Sequence, residues 1–192
     1  KTVHRNLWDV RDHRGYRVGL AAAGRGESSL DVWSQLDAEY WQGTVLSDSG
    51  WRHELSARIQ TVVGRAPTDA LPYMGGSEGV RGVRSFGMPA RTVALIRNEL
   101  WMPTPFVKRD YGREQSWFGG LYDVIKPAVF VDVGWADDVR ETFSARPWAV
   151  SPGAGIRLQL GPVTMNVDYA YGIARPTVLG RSRFVFGASA RF

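Results

Sequence analysis

Segment after segment of this chain alternates apolar and polar side chains with a period of two. Val129, Val131, Val133 and Trp135 fall on one side of a strand, and Phe130, Asp132 and Gly134 on the other. Only extended backbone turns successive side chains to opposite faces, so the pattern selects β structure over helix. At 16–23, Tyr16, Val18, Leu20 and Ala22 oppose Arg17, Gly19 and Ala21. Similar alternation recurs at 31–45, 51–64, 91–102, 148–160 and 163–173, and again from Phe184 to Phe192. Asp12-His13-Arg14-Gly15 reads as a turn by composition. The chain of 192 residues is expected to be one all-β domain, 1–192, with eight antiparallel strands.

Such strands fit a soluble sandwich or barrel with its apolar face inward, or a membrane barrel with that face outward. The polar face favours the second. It carries Gly, Ser, Thr, Asn and Gln with isolated Arg, Asp and Glu, rather than the lysines and glutamates of a solvated face. Small residues and opposite charges suit a crowded polar lumen. The apolar face ends in Tyr and Trp, as an aromatic girdle requires. The expected strands run about 9 to 14 residues, against roughly 9–11 needed to cross a bilayer and a mode of about 5–6 in soluble sheets. The expected fold is therefore an antiparallel transmembrane β-barrel.

Composition narrows the alternatives. The net charge of +5 comes from 24 basic and 19 acidic residues spread along the chain without a basic run, so nucleic acid is not an expected partner. With no cysteine there is no disulfide framework or thiolate metal site. His4, His13 and His53 have no metal-ligand spacing. No metal or cofactor is expected. The sequence has no 18-residue apolar run and no signal-peptide core behind Lys1, and the second absence does not exclude export.

Between the third and fourth expected strands lies a long segment, 65–90. Its stretch from Gly75 to Gly87 holds five glycines, two arginines and one glutamate in thirteen residues. It is too long for a hairpin turn, and its charge and backbone freedom suit a loop that folds back and docks through Arg81. With 46–50 and Gly161-Pro162 as the short periplasmic turns, 24–29, 65–90, 137–147 and 174–180 are expected on the outer side. Segment 103–125, with Trp117, Phe118 and Tyr122, falls on the periplasmic side despite its length.

Val80-Arg81-Gly82-Val83, preceded by Gly75-Gly76, resembles the Val-Arg-Gly-Phe/Tyr loop of the BamA/TamA-type superfamily (the bacterial surface antigen barrel). Val83 stands where that family has an aromatic. Asp12-His13-Arg14-Gly15-Tyr16 is similar to its Asp-Pro-Arg-Arg-Gly-Tyr turn, and Phe130-Val131-Asp132-Val133-Gly134 to its Phe-x-Asp-x-Gly strand. Gly153-Ala154-Gly155-Ile156-Arg157 with Gly161-Pro162 resembles its Gly-x-Gly-x-Arg strand and turn. The last strand, with Phe184, Phe186 and terminal Phe192, resembles the insertion signal read by barrel-assembly machinery.

The resemblance implies a bacterial, Gram-negative outer-membrane location and a lumen-directed loop whose Arg81 contacts Asp132. It implies insertion or export of outer-membrane or secreted proteins, with membrane lipid and unfolded clients as partners and no covalent chemistry. The family has about sixteen strands, so these eight look like its C-terminal half, with upstream strands or periplasmic modules as further partners. An eight-stranded barrel has room for its own side chains only, so the loop needs a larger barrel or must stay mostly outside.

Two other functions stay open. A passive pore or a membrane anchor for an associated domain needs the barrel alone. A lipid hydrolase needs a serine and histidine pair; Gly75-Gly76-Ser77-Glu78-Gly79 has the Gly-x-Ser-x-Gly spacing, but it lies in a loop and not at a strand-to-helix elbow, and His53 belongs to the apolar face. Asp37 and Glu39 share a face with arginines, which suits ion pairing better than acid–base work. No catalytic residue is expected.

Overall fold

The computed structural model describes residues 12–25, 31–47, 50–77, 79–84, 89–103, 125–139, 147–160, 163–175 and 180–190. They form one antiparallel sheet of nine strands: β1 (Asp12–Arg25), β2 (Asp31–Val45), β3 (Arg52–Gly64), β4 (Ala90–Trp101), β5 (Ile125–Val139), β6 (Trp148–Leu160), β7 (Val163–Tyr171), β8 (Ile173–Arg175) and β9 (Ser182–Ala190). From β1 to β7 each strand pairs with its sequence neighbour, and β9 then pairs with β7, in the order β1-β2-β3-β4-β5-β6-β7-β9. The short β8 continues β7 in the same register against β6, as Gly153↔Ala170 and Val150↔Ile173 require. Pro152, which has no N–H to give the ladder, lies at that interruption. Among the described residues β1 and β9 are the two ends of the path, and the sheet does not close.

The expected turn at 12–15 is strand, and other expected loops are strand in part. Asp12-His13-Arg14-Gly15 is not a turn: it opens β1, paired with Thr44, Gly43, Gln42 and Trp41. Gly15 has a physical reason to be there, because a Cβ would overlap the Trp41 ring across the ladder. The turn-like composition thus reflects a cross-strand glycine–aromatic pair. Likewise, Gly24 and Arg25 belong to β1, 137–139 to β5, and Ala174 and Arg175 to β8. Gly161-Pro162, Trp117, Phe118, Tyr122 and Phe192 lie outside the described residues.

Directly paired residues share a face, so the registers sort side chains into rows across the sheet. One row runs Tyr16–Tyr40–Ala57–Ile96–Val133–Val150. The row beside it runs Arg17–Glu39–Arg58–Leu95–Gly134–Ala149, on the opposite face. The apolar face is bare: Tyr16 is 83% exposed, Leu20 81%, Phe184 68% and Phe186 69%. That exposure runs from β1 through Val133 and Val167 to β9, far beyond the scattered apolar residues of an ordinary surface.

The other face carries the loop. At its start Val62, Ala66 and Leu71 are buried against Trp33 and Ala70. Gly64 has φ +102°, and Arg65 N donates to Val32 O at 3.1 Å. The neck closes where Ala90 N donates to Pro72 O at 3.1 Å. Beyond the neck, Met74, Val80 and Val83 are fully buried against sheet residues including Val93, Leu95 and Ala136. Burying each such side chain is worth roughly 1.5–3 kcal/mol, so this apolar plug holds much of the loop down. Gly134 leaves the space that Val80 and Met74 fill.

Candidate functional site

Val80-Arg81-Gly82-Val83 forms a β-turn closed by Val83 N donating to Val80 O at 3.0 Å. Val80 N also donates to Met74 O at 2.8 Å, and Gly76 N donates to Val83 O at 3.2 Å. Gly76 has φ +102°, which only glycine adopts readily. The turn therefore has a backbone frame of its own, and it delivers Arg81 side chain first onto the polar face.

Three rows meet beneath the turn. They contain Arg97–Asp132–Ser151, Glu99–Phe130–Gly153–Ala170 and Trp101–Ala128–Gly155–Asp168. Arg81 Nε and Nη2 donate to the two oxygens of Asp132 at 2.7 and 2.6 Å. The Arg81 backbone N–H adds a third bond to Asp132 at 3.1 Å. Nη1 donates to Glu99 Oε1 at 2.6 Å and to Asp168 Oδ2 at 2.9 Å. The guanidinium carbon lies 3.4 Å from the centroid of the Phe130 ring. A planar fork reaches this many partners at once, whereas an ammonium would act as a point charge.

The ring and one carboxylate fit because glycines face them. A Cβ at Gly153 would overlap Phe130, and one at Gly155 would overlap Asp168. From the row beyond, Arg157 donates to Glu99 Oε2 at 3.0 Å and also to Asp168. Asn166 donates to Asp168 at 2.8 Å, and Trp101 Nε1 to Glu99 at 2.9 Å. Arg97, the register partner of Asp132, reaches the other way and caps the loop carbonyls of Ser77 and Gly79.

Arg81 and Arg157 thus pair with Glu99, Asp132 and Asp168. Arg81 is 3% exposed, and Asp132 and Asp168 are fully buried. Burial alone would lower the Arg81 pKa. The hydrogen bond to Asp132 and the charges of Glu99, Asp132 and Asp168 outweigh it and hold the guanidinium above its ordinary value. A buried ion cluster of this kind adds little net stability over apolar packing, but removing one member is costly. The plug therefore supplies holding strength, and the ion cluster fixes where the loop sits.

The backbone interlocks as well. Gly82 N donates to Ser151 Oγ at 3.0 Å, and Arg181 N donates to Gly82 O at 3.1 Å. Val83 bridges Gly180, and Arg183 Nη1 donates to Val83 O at 2.7 Å. The Val-Arg-Gly-Val turn therefore touches β4, β5, β6, β7 and the approach to β9 together. A separate pair of ion pairs, Arg58–Asp37 at 2.6 Å and Arg17–Glu39 at 2.8 Å, lies on the same face over β1–β3.

Of the residues singled out in the sequence, Gly75, Gly76, Val80, Arg81, Gly82 and Val83 lie together on the loop and Asp132 lies beneath them. Phe184 and Phe186 stand apart, exposed on the opposite face of β9. Sequence reasoning did not single out Glu99, Asp168 or Phe130 as partners of Arg81, or Arg157 as the second cation on Glu99 and Asp168. Their position on the polar face was visible from period two, but their convergence depends on register. No family model matches the chain, and no curated protein matches it.

Arg97→Met keeps the stem and removes the cap on the Ser77 and Gly79 carbonyls. Losing hydrogen bonds from a charged donor costs about 1.5–3 kcal/mol. The expected result is faster hydrogen exchange around 75–80 with Arg81 still docked, read by amide exchange on the folded protein.

Proposed function

We propose that this chain forms part of a bacterial outer-membrane β-barrel of the BamA/TamA type, which inserts or exports other proteins. The observation that carries the reading is the opposition of the two faces. One is apolar and exposed over the whole width of the sheet; the other holds a buried arginine on three carboxylates. In water, the first arrangement would drive aggregation. In a bilayer, it is the lipid-facing wall, and the polar face lines the lumen.

The edges of β1 and β9 then continue into further strands of a larger barrel, about sixteen in the family that the Val-Arg-Gly turn resembles. The loop lies across the inner wall and ties β4 to the β7–β9 region. A wall braced at one point leaves its mobile seam elsewhere, where an unfolded client can pair its own strand with an exposed edge. The work is done by strand pairing and by the membrane, without covalent chemistry.

The test is reconstitution of the full polypeptide in liposomes with an unfolded barrel client. Protease-protected client at rates above those of empty liposomes supports the proposal. Ion conductance without client insertion would favour a passive pore, and absence of the protein from floated vesicles would overturn the membrane reading.

A further inference from the structure

The apolar face is not uniform. Over β1–β5 it holds a trough of about 530 Å³, within the range of small-molecule pockets. Its floor is built from Ala38, Ala57 and Ala94, with Tyr16, Ile59 and Trp135 among the higher walls. The registers put these small residues side by side: Ala57 beside Tyr40 and Ile96, Ala38 beside Val18 and Ile59, Ala94 beside Ile59 and Trp135. The lining is almost wholly hydrocarbon.

One step along the strands, the same face turns polar. The next row is Arg14–Gln42–Leu55–Asn98, and the row after it contains Thr44 and His53. At about 3.3 Å per residue, the first of these rows lies roughly 7 Å beyond Tyr40 and Ala57. The Tyr40 hydroxyl donates to Gln42 Oε1 at 2.8 Å, and Gln42 Nε2 to Thr44 Oγ1 at 3.3 Å. His53 Nε2 donates to Asn98 Oδ1 at 3.2 Å. Arg14 is exposed beside Gln42. A polar collar with a cation thus adjoins one side of an apolar trough.

We infer that the β1–β5 trough is a binding site for one phospholipid with an anionic headgroup. An acyl chain lies over Ala38, Ala57 and Ala94, and the phosphate sits against Arg14 and Gln42. A hydrocarbon trough alone would take any chain. The adjoining arginine and amide add the complementarity that selects a phosphate with net negative charge. The inference rests on the membrane reading above and adds a ligand class and a position to it.

The full polypeptide would be reconstituted in nanodiscs of phosphatidylethanolamine and phosphatidylglycerol, then released and weighed by native mass spectrometry. The protein is expected to retain one phosphatidylglycerol. Ala57→Phe fills the trough while keeping the face apolar, and should abolish retention. Arg14→Gln should reduce the preference for phosphatidylglycerol roughly fivefold, the effect of one cation at an anionic surface. Lipid-free protein, or equal retention by wild type and Ala57→Phe, would overturn the site. Vesicle flotation of the same samples separates the two levels. Protein that floats but keeps no lipid fails this inference alone, whereas protein that does not float fails the membrane reading and this site together.

Discussion

Arg81→Ala is expected to free the loop from the sheet. The substitution removes four side-chain hydrogen bonds and strands Asp132 and Asp168, both fully buried, without their shared cation. The backbone N–H bond can survive on paper, but the turn that aims it is positioned by the side chain. Breaking a buried ion pair by deleting one partner costs about 3–5 kcal/mol, against roughly 1.5–3 kcal/mol from burying each side chain of the Met74–Val80–Val83 plug. Segment 65–90 should become accessible to protease while the strands keep their amide protection. Arg81→Lys should rescue little, because an ammonium cannot grip both oxygens of Asp132 and reach Glu99 and Asp168 together. Loop protection unchanged in Arg81→Ala would mean that the plug alone sets the docking. Client insertion should fall with loop docking in the same variants.

Gly172→Ala is the second change with a large expected effect. Its Cβ would fall on the backbone carbonyl of Gly82, and a Cβ on Gly82 would fall on Gly172 N and Ser151 Oγ. The two glycines let the turn and the β7–β8 junction approach backbone to backbone, so neither can yield by a rotamer change. Gly180 closes the same contact, since its Cβ would meet Gly172 O. Overpacking typically costs 1–3 kcal/mol, and a contact between backbones belongs at the upper end, about 3 kcal/mol. The thermal unfolding midpoint should drop, and Arg181 N should lose its bond to Gly82 O, which speeds its exchange. Gly155→Ala offers a comparison at the ion cluster, where the added Cβ would fall on the Asp168 carboxylate and on the Val167 carbonyl.

The sequence made the strands legible because both faces of each strand are strongly typed. Val129 to Trp135 could not be confused with a helix. Boundaries were less legible where glycine and charge served a packing role: Asp12–Gly15 looked like a turn and is the start of β1, because Gly15 serves Trp41 across the ladder. Arg81 stood out as the cation within the Val-Arg-Gly turn of a glycine-rich loop. Asp132 came into view through a resemblance, and Asp168 and Glu99 did not. They lie 87 and 18 residues from Arg81, and only the registers of β4, β5, β6 and β7 bring them under one guanidinium. Register is set by many weak cross-strand preferences at once, so no short stretch announces it. Open edges are equally silent, because an edge strand and an inner strand of one sheet read alike.

The absence of cysteine allows a direct test of which face meets lipid. Single cysteines at each position from 128 to 135 in β5, spin-labelled in liposomes carrying the full polypeptide, would be probed with oxygen and a water-soluble nickel complex. High oxygen accessibility at 129, 131, 133 and 135, with low values for both reagents at 128, 130, 132 and 134 under the docked loop, is the expected result. Nickel accessibility at 129, 131 and 133, or an oxygen profile without the period of two, would contradict the lipid-facing wall.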